Sequence, residues 1–242
     1  MKERSHIILK EVISQYIQSG LPVGSRLVAK TPGVFLSPAS IRNVMSDLEE
    51  NGFLQQPHTS AGRIPTVKAL KFFVDGLLEE YQAKNDGLKG NTYFPDFSDA
   101  EEMIEYISLL LGNKTGATSF IVFHRGNKKD SSKKIYYGCT SNILNQPEFS
   151  DVTKVHRFLR ALEEKEEFLN KMNTMNQGLN IKIGTENNIK GLEECSLVAS
   201  SYQASDNDLG VVGIIGPLRM DYAHMIDMVT TTAHTLSRKL RQ

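Results

Sequence analysis

The 242-residue sequence lacks several features that would assign it quickly to a class of protein. Its two cysteines, Cys139 and Cys195, lie far apart and show no spacing typical of zinc ligands. No stretch of about twenty apolar residues occurs, and charges are spread through the N-terminal segment, so we expect a cytoplasmic protein without signal peptide or membrane anchor. The 28 basic and 28 acidic residues give zero formal net charge, which excludes a uniformly basic, histone-like protein.

Catalytic arrangements are also absent from the sequence. No spacing indicates a Ser–His–Asp, Cys–His or paired-carboxylate site, so we predict a protein that is not an enzyme and that binds neither cofactor nor metal. Arg219, Asp221 and His224 could form an acid–base site, but a helix N-cap at Asp221 beside a structural arginine is the better interpretation. The glycines of GVVGIIG, residues 210–216, open no helix and indicate close packing in a strand rather than dinucleotide binding.

The most informative stretch covers residues 36–66. Ser37 is a good N-cap, Pro38 suits the first helical position, and Asn51-Gly52 is a typical stop, so we predict a helix over residues 37–51. Apolar residues recur at three- and four-residue spacing and form one stripe. These residues are Ile41, Val44, Met45 and Leu48.

The opposite side of this helix is small, polar and basic in its N-terminal half, and acidic only towards its end. A helix that enters the major groove needs this layout, because its first turns must approach base edges and its carboxylates must avoid phosphates. An ordinary amphipathic surface helix with an acidic end is the alternative. The candidate DNA-binding residues here are Ser37, Ala39, Ser40, Arg42 and Asn43.

A two-stranded ribbon is predicted after the helix. Residues 53–56 and 63–65 read as its strands and residues 57–62 as a polar tip, with a proline near the edge of each strand. We call this ribbon and its tip the wing. It contains side chains that could donate hydrogen bonds to phosphates or in a minor groove. These are His58, Thr59, Ser60 and Arg63.

A short helix is predicted before the main one, over residues 26–30 and capped by Ser25. Its Arg26 and Lys30 are candidate phosphate contacts, or else two solvated cations. Between residues 22 and 71, six basic side chains stand against three acidic ones, so this segment carries a modest positive charge although the whole chain does not.

The remaining pattern predicts an α+β protein of two domains. Helices over residues 4–19 and 66–82 complete an N-terminal domain of residues 1–82, and residues 83–97, rich in Gly, Asn, Lys and Asp, read as a linker. Residues 98–242 form the second domain, with helices segregated from strands as in an antiparallel sheet. Its helices are predicted at 98–111 (opened by a capping box at Ser98), 151–175 (capped by Ser150) and 221–241, and its strands at 118–124, 135–140, 179–184, 195–203 and 209–215.

Several segments resemble one family. VGSR (23–26), LSPASIRNVMSDLEENGFL (36–54) and QPHTSAGRIPT (56–66) are similar to HrcA, the heat-inducible transcription repressor of bacterial chaperone operons. ILNQPEFSD (143–151), IKIGTEN (181–187), CSLVASSY (195–202) and GVVGIIGPLRMDYAHMI (210–226) are similar to the GAF-like domain of that family. The resemblance covers about residues 1–82 and 115–240.

The resemblance implies a winged helix-turn-helix domain followed by a GAF-like α+β domain that serves dimerisation and regulation. It also implies a homodimer that binds double-stranded DNA at an inverted-repeat operator, is released on heating and is helped to fold by the chaperonin GroEL. We expect dimer contacts on leftover apolar faces of the 98–111 and 221–241 helices. The alternative is a ligand-sensing regulator that binds a small molecule in the GAF-like domain.

The sequence departs from this family at one place. The family usually carries an inserted dimerisation domain after the helix that here ends near Leu111, yet only residues 112–134 separate that helix from the strand predicted at 135. We therefore expect the insert to be missing, or reduced to the charged turn GNKKDSSKK of residues 126–134.

Overall fold

The computed structural model of the chain describes residues 3–84, 95, 97, 99–125, 132–205 and 208–241. The chain divides into two compact units, Met1–Asp86 and Gly87–Gln242. Within the described residues, no helix combines the length and the apolar character that crossing a membrane requires.

The first unit is a winged helix-turn-helix. Its helices are α1 (Glu3–Ser19), α2 (Ser25–Val28), α3 (Pro38–Glu50) and α4 (Val67–Lys84), and its strands are β1 (Leu54–Gln55) and β2 (Ile64–Pro65). The two strands pair antiparallel, and Val23 forms an additional antiparallel bridge with Arg63. The wing is therefore attached to the segment between α1 and α2 as well as to its own hairpin.

The apolar stripes of the helices meet in one core in this unit. Ile41 of α3 and Val12 of α1 are fully buried, and Val74 of α4 is nearly so. Burial of each such side chain stabilises the fold by roughly 1.5–3 kcal/mol. Ser37 caps α3 as predicted, since its hydroxyl accepts a hydrogen bond from Ser40 N at 3.1 Å. Thr66 caps α4 in the same way, accepting a hydrogen bond from Ala69 N at 3.3 Å.

The predicted second helix differs from the observed one. Ser25 is the first residue of α2 rather than its cap, Gly24 occupies the cap position, and the helix ends at Val28 after one turn. Thr31-Pro32-Gly33 prevents a longer helix, because proline has no N–H to donate and Gly33 has a φ of 89°. The segment before α3 is consequently an irregular turn.

The second unit is built on a five-stranded sheet. Its strands are β3 (Thr118–Arg125), β4 (Ser132–Gly138), β5 (Leu179–Ile183), β6 (Cys195–Ser205) and β7 (Asp208–Pro217). They lie in the order β4-β3-β7-β6-β5, and every neighbouring pair is antiparallel. The predicted α+β class with an antiparallel sheet is confirmed.

Helices cover both faces of this sheet. One face packs on α6 (Val152–Glu163) and α7 (Lys165–Asn173) through an aromatic cluster that includes Phe120, Phe158 and Phe168. The other face packs on α5 (Ala100–Thr115) and α8 (Tyr222–Lys239). Successive residues of a strand point to opposite faces, so Phe120 faces α7 whereas the neighbouring Ser119 donates a hydrogen bond to the carbonyl of Ser108 in α5.

The single helix predicted over residues 151–175 is two helices, with a break at Glu164. On a continuous helix Phe168 would point about 120° away from the stripe that contains Leu162, because six residues turn the chain by about 600°. The break turns Phe168 back to the sheet, where it is fully buried. Asp151, not Ser150, caps α6, since its Oδ1 accepts a hydrogen bond from Thr153 N at 2.8 Å.

Three further predictions concern the start of α5, the glycines of β7 and the start of α8. The capping box predicted at Ser98 lies partly outside the described residues, and Asp99 is the N-cap of α5. The prediction of close packing at the glycines of β7 is confirmed, because a Cβ at Gly213 would lie 2.6 Å from the Phe120 ring. Asp221 caps α8 as predicted, accepting a hydrogen bond from His224 N at 3.1 Å.

The expectation of a leftover apolar face on α8 is wrong. Its apolar side chains are buried because the helix packs against both β6 and α5. Its exposed residues are Ala223, His224, Asp227, His234 and Arg238. By contrast, α5 does leave apolar surface, with Tyr106 and Leu109 exposed to 40% and 51%.

Candidate nucleic-acid interface

The N-terminal half of α3 presents the polar surface that its sequence predicts. Ser37, Ala39, Ser40, Arg42 and Asn43 are all exposed. The hydroxyl oxygens of Ser37 and Ser40 lie 2.9 Å apart, which orders the first turn. On the inner side Ile41 and Met45 are buried, so the exposed side chains stand on a fixed support.

A cleft of about 520 Å³ lies between α2, the start of α3 and the wing. Arg26, Arg42 and Arg63 line it from these three elements, together with hydroxyls such as those of Thr59 and Ser60. No carboxylate is among its lining residues within the described part of the chain. The cleft therefore favours an anionic partner such as a nucleic-acid phosphate.

The tip of the wing is held by its own hydrogen bonds. The side-chain amide of Gln56 donates to the carbonyls of Thr59 at 2.8 Å and Ala61 at 3.0 Å. Ala61 N donates to the carbonyl of His58 at 2.9 Å. These bonds leave the side chains of His58, Thr59 and Ser60 exposed on an ordered turn.

Arg63 does not have the free guanidinium expected of a phosphate contact. Its Nε lies 2.8 Å from Oε2 of Glu49, and its side chain is only 16% exposed. Its backbone is paired with Val23 by hydrogen bonds of 2.8 and 2.9 Å. The phosphate contact expected of Arg63 therefore stays a prediction, and the structure adds that a carboxylate of α3 lies against its Nε.

The remaining predicted site residues lie on α2 and just after it. Arg26 is exposed and lines the cleft, whereas Lys30 is exposed but is not part of the lining. The sequence pattern did not identify Glu49 and Gln56 as residues that hold the wing. Glu49 contacts the wing from α3, and Gln56 contacts the tip from within the wing itself. No local pattern identifies them, because Glu49 and Arg63 are fourteen residues apart and meet only in the folded domain.

In the second unit a smaller cleft of about 120 Å³ has one charged side chain, Lys133, among its lining residues. Arg219 pairs with Glu148 and so ties the segment before α8 to the turn before α6, which fits the structural arginine that the sequence predicts. No group of three or more His, Cys, Asp or Glu side chains is placed to hold a metal among the described residues. Cys195 is fully buried, and burial raises its thiol pKa to about 12.

Comparison with known proteins adds sequence relatives over the whole length. The model of the family described as HrcA protein C terminal domain matches residues 113–226. The heat-inducible transcription repressor HrcA of Natranaerobius thermophilus is 32% identical over 98% of this chain and 96% of that protein. The protein of the same name from Syntrophobacter fumaroxidans is 30% identical over 100% of this chain and 98% of its own length.

The relatives are longer than this chain. The alignment with the Natranaerobius thermophilus protein spans 331 positions, 89 more than the 242 residues here, so at least that many positions have no counterpart in this chain. Only Gly116 and Ala117 separate α5 from β3. Both observations agree with the expectation of a missing insert.

The fold is also found in a solved structure. A crystal structure of a hypothetical protein at 2.2 Å resolution superposes with a TM-score of 0.80 over 99% of this chain and 97% of that chain. The two sequences are 18% identical, so the likeness concerns the fold alone.

Proposed function

The chain belongs to the HrcA family of heat-inducible transcription repressors and is itself a transcription repressor, and we propose that it binds an inverted-repeat operator as a homodimer, with α3 of each protomer in a major groove. One observation carries this proposal: the exposed, polar and basic N-terminal half of α3 borders a cleft whose described lining residues include arginines but no carboxylate. Anionic DNA is the partner that this combination fits best.

Within this arrangement the exposed residues take different parts. Arg42 and Asn43 extend from α3 with hydrogen-bonding groups that suit guanine and adenine edges. Ser37, Ala39 and Ser40 are small enough to let the first turn approach the bases closely. Arg26 and Lys30, together with His58, Thr59 and Ser60 of the wing, contact the backbone or the minor groove.

Two-fold symmetry of the operator requires a dimer, and α5 is our candidate for the contact. Tyr106 and Leu109 stand one turn apart on its outer side, and Tyr106 packs against Phe97 with ring centroids 5.2 Å apart. A second copy of the same helix would cover this surface. A surface of the GAF-like domain would then serve in place of the family's inserted dimerisation domain, which we expect to be missing or reduced in this chain.

Release on heating follows if the second unit is the less stable part of the protein. The layer between α5, α8 and the sheet contains several buried hydroxyls, and a buried hydroxyl contributes less hydrophobic stabilisation than a methyl group. They belong to Ser108, Ser119, Ser196, Thr230, Thr232 and Thr235. Heating would loosen this layer and separate the protomers. Family resemblance further suggests that the chaperonin GroEL assists refolding, which links repression to chaperone supply.

The ligand-sensing alternative is not favoured, because the relatives are named for a response to heat. A thermal test separates the steps of the proposed release. Sedimentation and DNA binding are measured on the same sample at rising temperature. Dissociation of the dimer at or below the temperature at which DNA binding is lost supports the proposal, and an intact dimer after DNA binding has gone contradicts it.

The DNA-binding proposal is tested by selection followed by titration. The protein is mixed with a random-sequence duplex library, and the enriched duplex is titrated beside a scrambled duplex at two salt concentrations. We expect enriched sites with two inverted half-sites, two protomers per duplex, and a preference of about 10³-fold or more. Equal weak binding to both duplexes would overturn the proposal.

A further inference from the structure

We propose that Glu49 is a positioning residue. It holds the wing in a fixed position relative to the recognition helix α3, and both elements contact DNA in that arrangement. The inference rests on the proposed function, because it concerns how the same DNA-binding surface is held in shape. A carboxylate would thus support DNA binding, although its negative charge alone would oppose the binding of phosphates.

Glu49 uses both of its carboxylate oxygens on the wing. Oε1 accepts a hydrogen bond from the backbone N–H of Gln56 at 3.1 Å. Oε2 lies 2.8 Å from the Nε of Arg63. Gln56 directly follows β1 and Arg63 directly precedes β2, so one side chain of α3 contacts both arms of the wing where the strands end and the tip begins.

These contacts continue in two directions. From Gln56, the side-chain amide reaches the carbonyls of Thr59 and Ala61 and so fixes the tip. From Arg63, two backbone hydrogen bonds lead to Val23, just before α2. Glu49, Gln56 and Arg63 thereby connect the tip and the strands of the wing with α3 and with the segment before α2.

From its charge alone, Glu49 is expected to weaken DNA binding and to destabilise α3. A carboxylate on a DNA-binding domain repels phosphates, and a negative charge in the last turn of a helix opposes the helix dipole. Glu50 shares both disadvantages and is exposed, and its side chain makes no hydrogen bond or ion pair with the described residues of the domain. The two adjacent acids thus differ in their contacts but not in their charge.

This difference supplies a matched pair of variants, Glu49→Gln and Glu50→Gln. Each removes one negative charge and keeps the side-chain shape. If charge alone matters, both variants bind the enriched duplex as well as or better than wild type. If Glu49 positions the wing, Glu49→Gln binds that duplex roughly 10-fold more weakly, because the loss of a charged partner leaves Arg63 free to move. Glu50→Gln then shows no loss.

Footprinting locates the effect on the DNA. With hydroxyl radicals on the enriched duplex, we expect Glu49→Gln to lose protection where the wing lies and to keep protection in the half-site read by α3. Equal footprints and equal affinities for the two variants would overturn the proposal.

A second measurement needs no DNA. Amide hydrogen exchange in Glu49→Gln should become faster at Gln56 and across residues 58–63, and should stay unchanged at the buried positions Ile41, Met45 and Leu48. Unchanged exchange at Gln56 would overturn the coupling. If the wild-type protein showed no preference for any duplex, the proposed function would fail, while this measurement would still decide the role of Glu49.

Arg63 provides an additional check. Arg63→Ala should weaken binding to the enriched duplex to about the same degree as Glu49→Gln, and the double variant should be no weaker than either single one, since both remove the same contact. Additive losses would show that Arg63 acts on DNA independently of Glu49 and would contradict the coupling.

Discussion

Gly62 packs directly against the backbone of Val23. A Cβ atom at position 62 would lie 2.4 Å from the carbonyl oxygen of Val23, which is closer than real Cβ contacts allow. The same carbonyl accepts the hydrogen bond from Arg63 N at 2.9 Å. Glycine at this position is therefore required for the wing to pair with the segment before α2.

Gly62→Ala should consequently destabilise the N-terminal unit and weaken DNA binding, because the wing must move away from Val23. Gly76→Ala in α4 is the control, because a Cβ at this position would have no atom within 4 Å. Replacing this glycine by alanine should stabilise the helix by roughly 0.5–1 kcal/mol. Urea unfolding of the two variants measures both effects. Equal stability of Gly62→Ala and wild type would contradict the importance of this contact.

Arg42→Ala should cost about 1–3 kcal/mol of binding free energy and relax specificity at one base position, because the exposed guanidinium is placed to read a base edge. Arg160→Ala is the matched control: it removes the same charge from α6, where the side chain of Arg160 forms an exposed pair with Glu164. Anisotropy titrations against single-base variants of the enriched duplex give the specificity profile. A uniform loss on every duplex would instead identify Arg42 as a phosphate contact.

Leu109→Glu should convert the dimer to monomers and abolish binding to an inverted repeat, because it places a charge in the apolar surface that we assign to dimer contact. Leu159→Glu changes a comparably exposed leucine of α6 and should leave the dimer intact. Sedimentation velocity and circular dichroism distinguish dissociation from unfolding. A folded and dimeric Leu109→Glu protein would show that the dimer interface lies on another surface.

The two cysteines should react very differently in the native protein. Cys195 is fully buried, and desolvation raises its thiol pKa from 9.0 to about 12, so at pH 8 it remains a protonated, inaccessible thiol. Cys139 is partly exposed. Iodoacetamide should therefore modify one thiol in the native state and two in guanidinium chloride, as counted by mass spectrometry. Modification of Cys195 under native conditions would show that the β6 region opens readily.

Local signals were sufficient for much of the DNA-binding unit. Ser37, Pro38 and the Asn51-Gly52 stop defined α3 within one residue at either end, because caps and turns depend on a few neighbouring residues. The exposed surface of Arg42 and Asn43 followed from helical periodicity alone. Local reasoning was not sufficient at residues 151–175, where the predicted single helix is two helices. Leu162 and Phe168 are six residues apart, so one straight helix could not turn both towards the sheet.

By itself, then, the sequence determined the kinds of elements, the family resemblance and the candidate reading surface, since these depend on short-range patterns. Only the tertiary structure decided the strand order β4-β3-β7-β6-β5, the burial of the apolar face of α8 and the pairing of Arg63 with Glu49. Each of these depends on residues distant in sequence meeting in space, and the free energy of such contacts has no local signature in the chain.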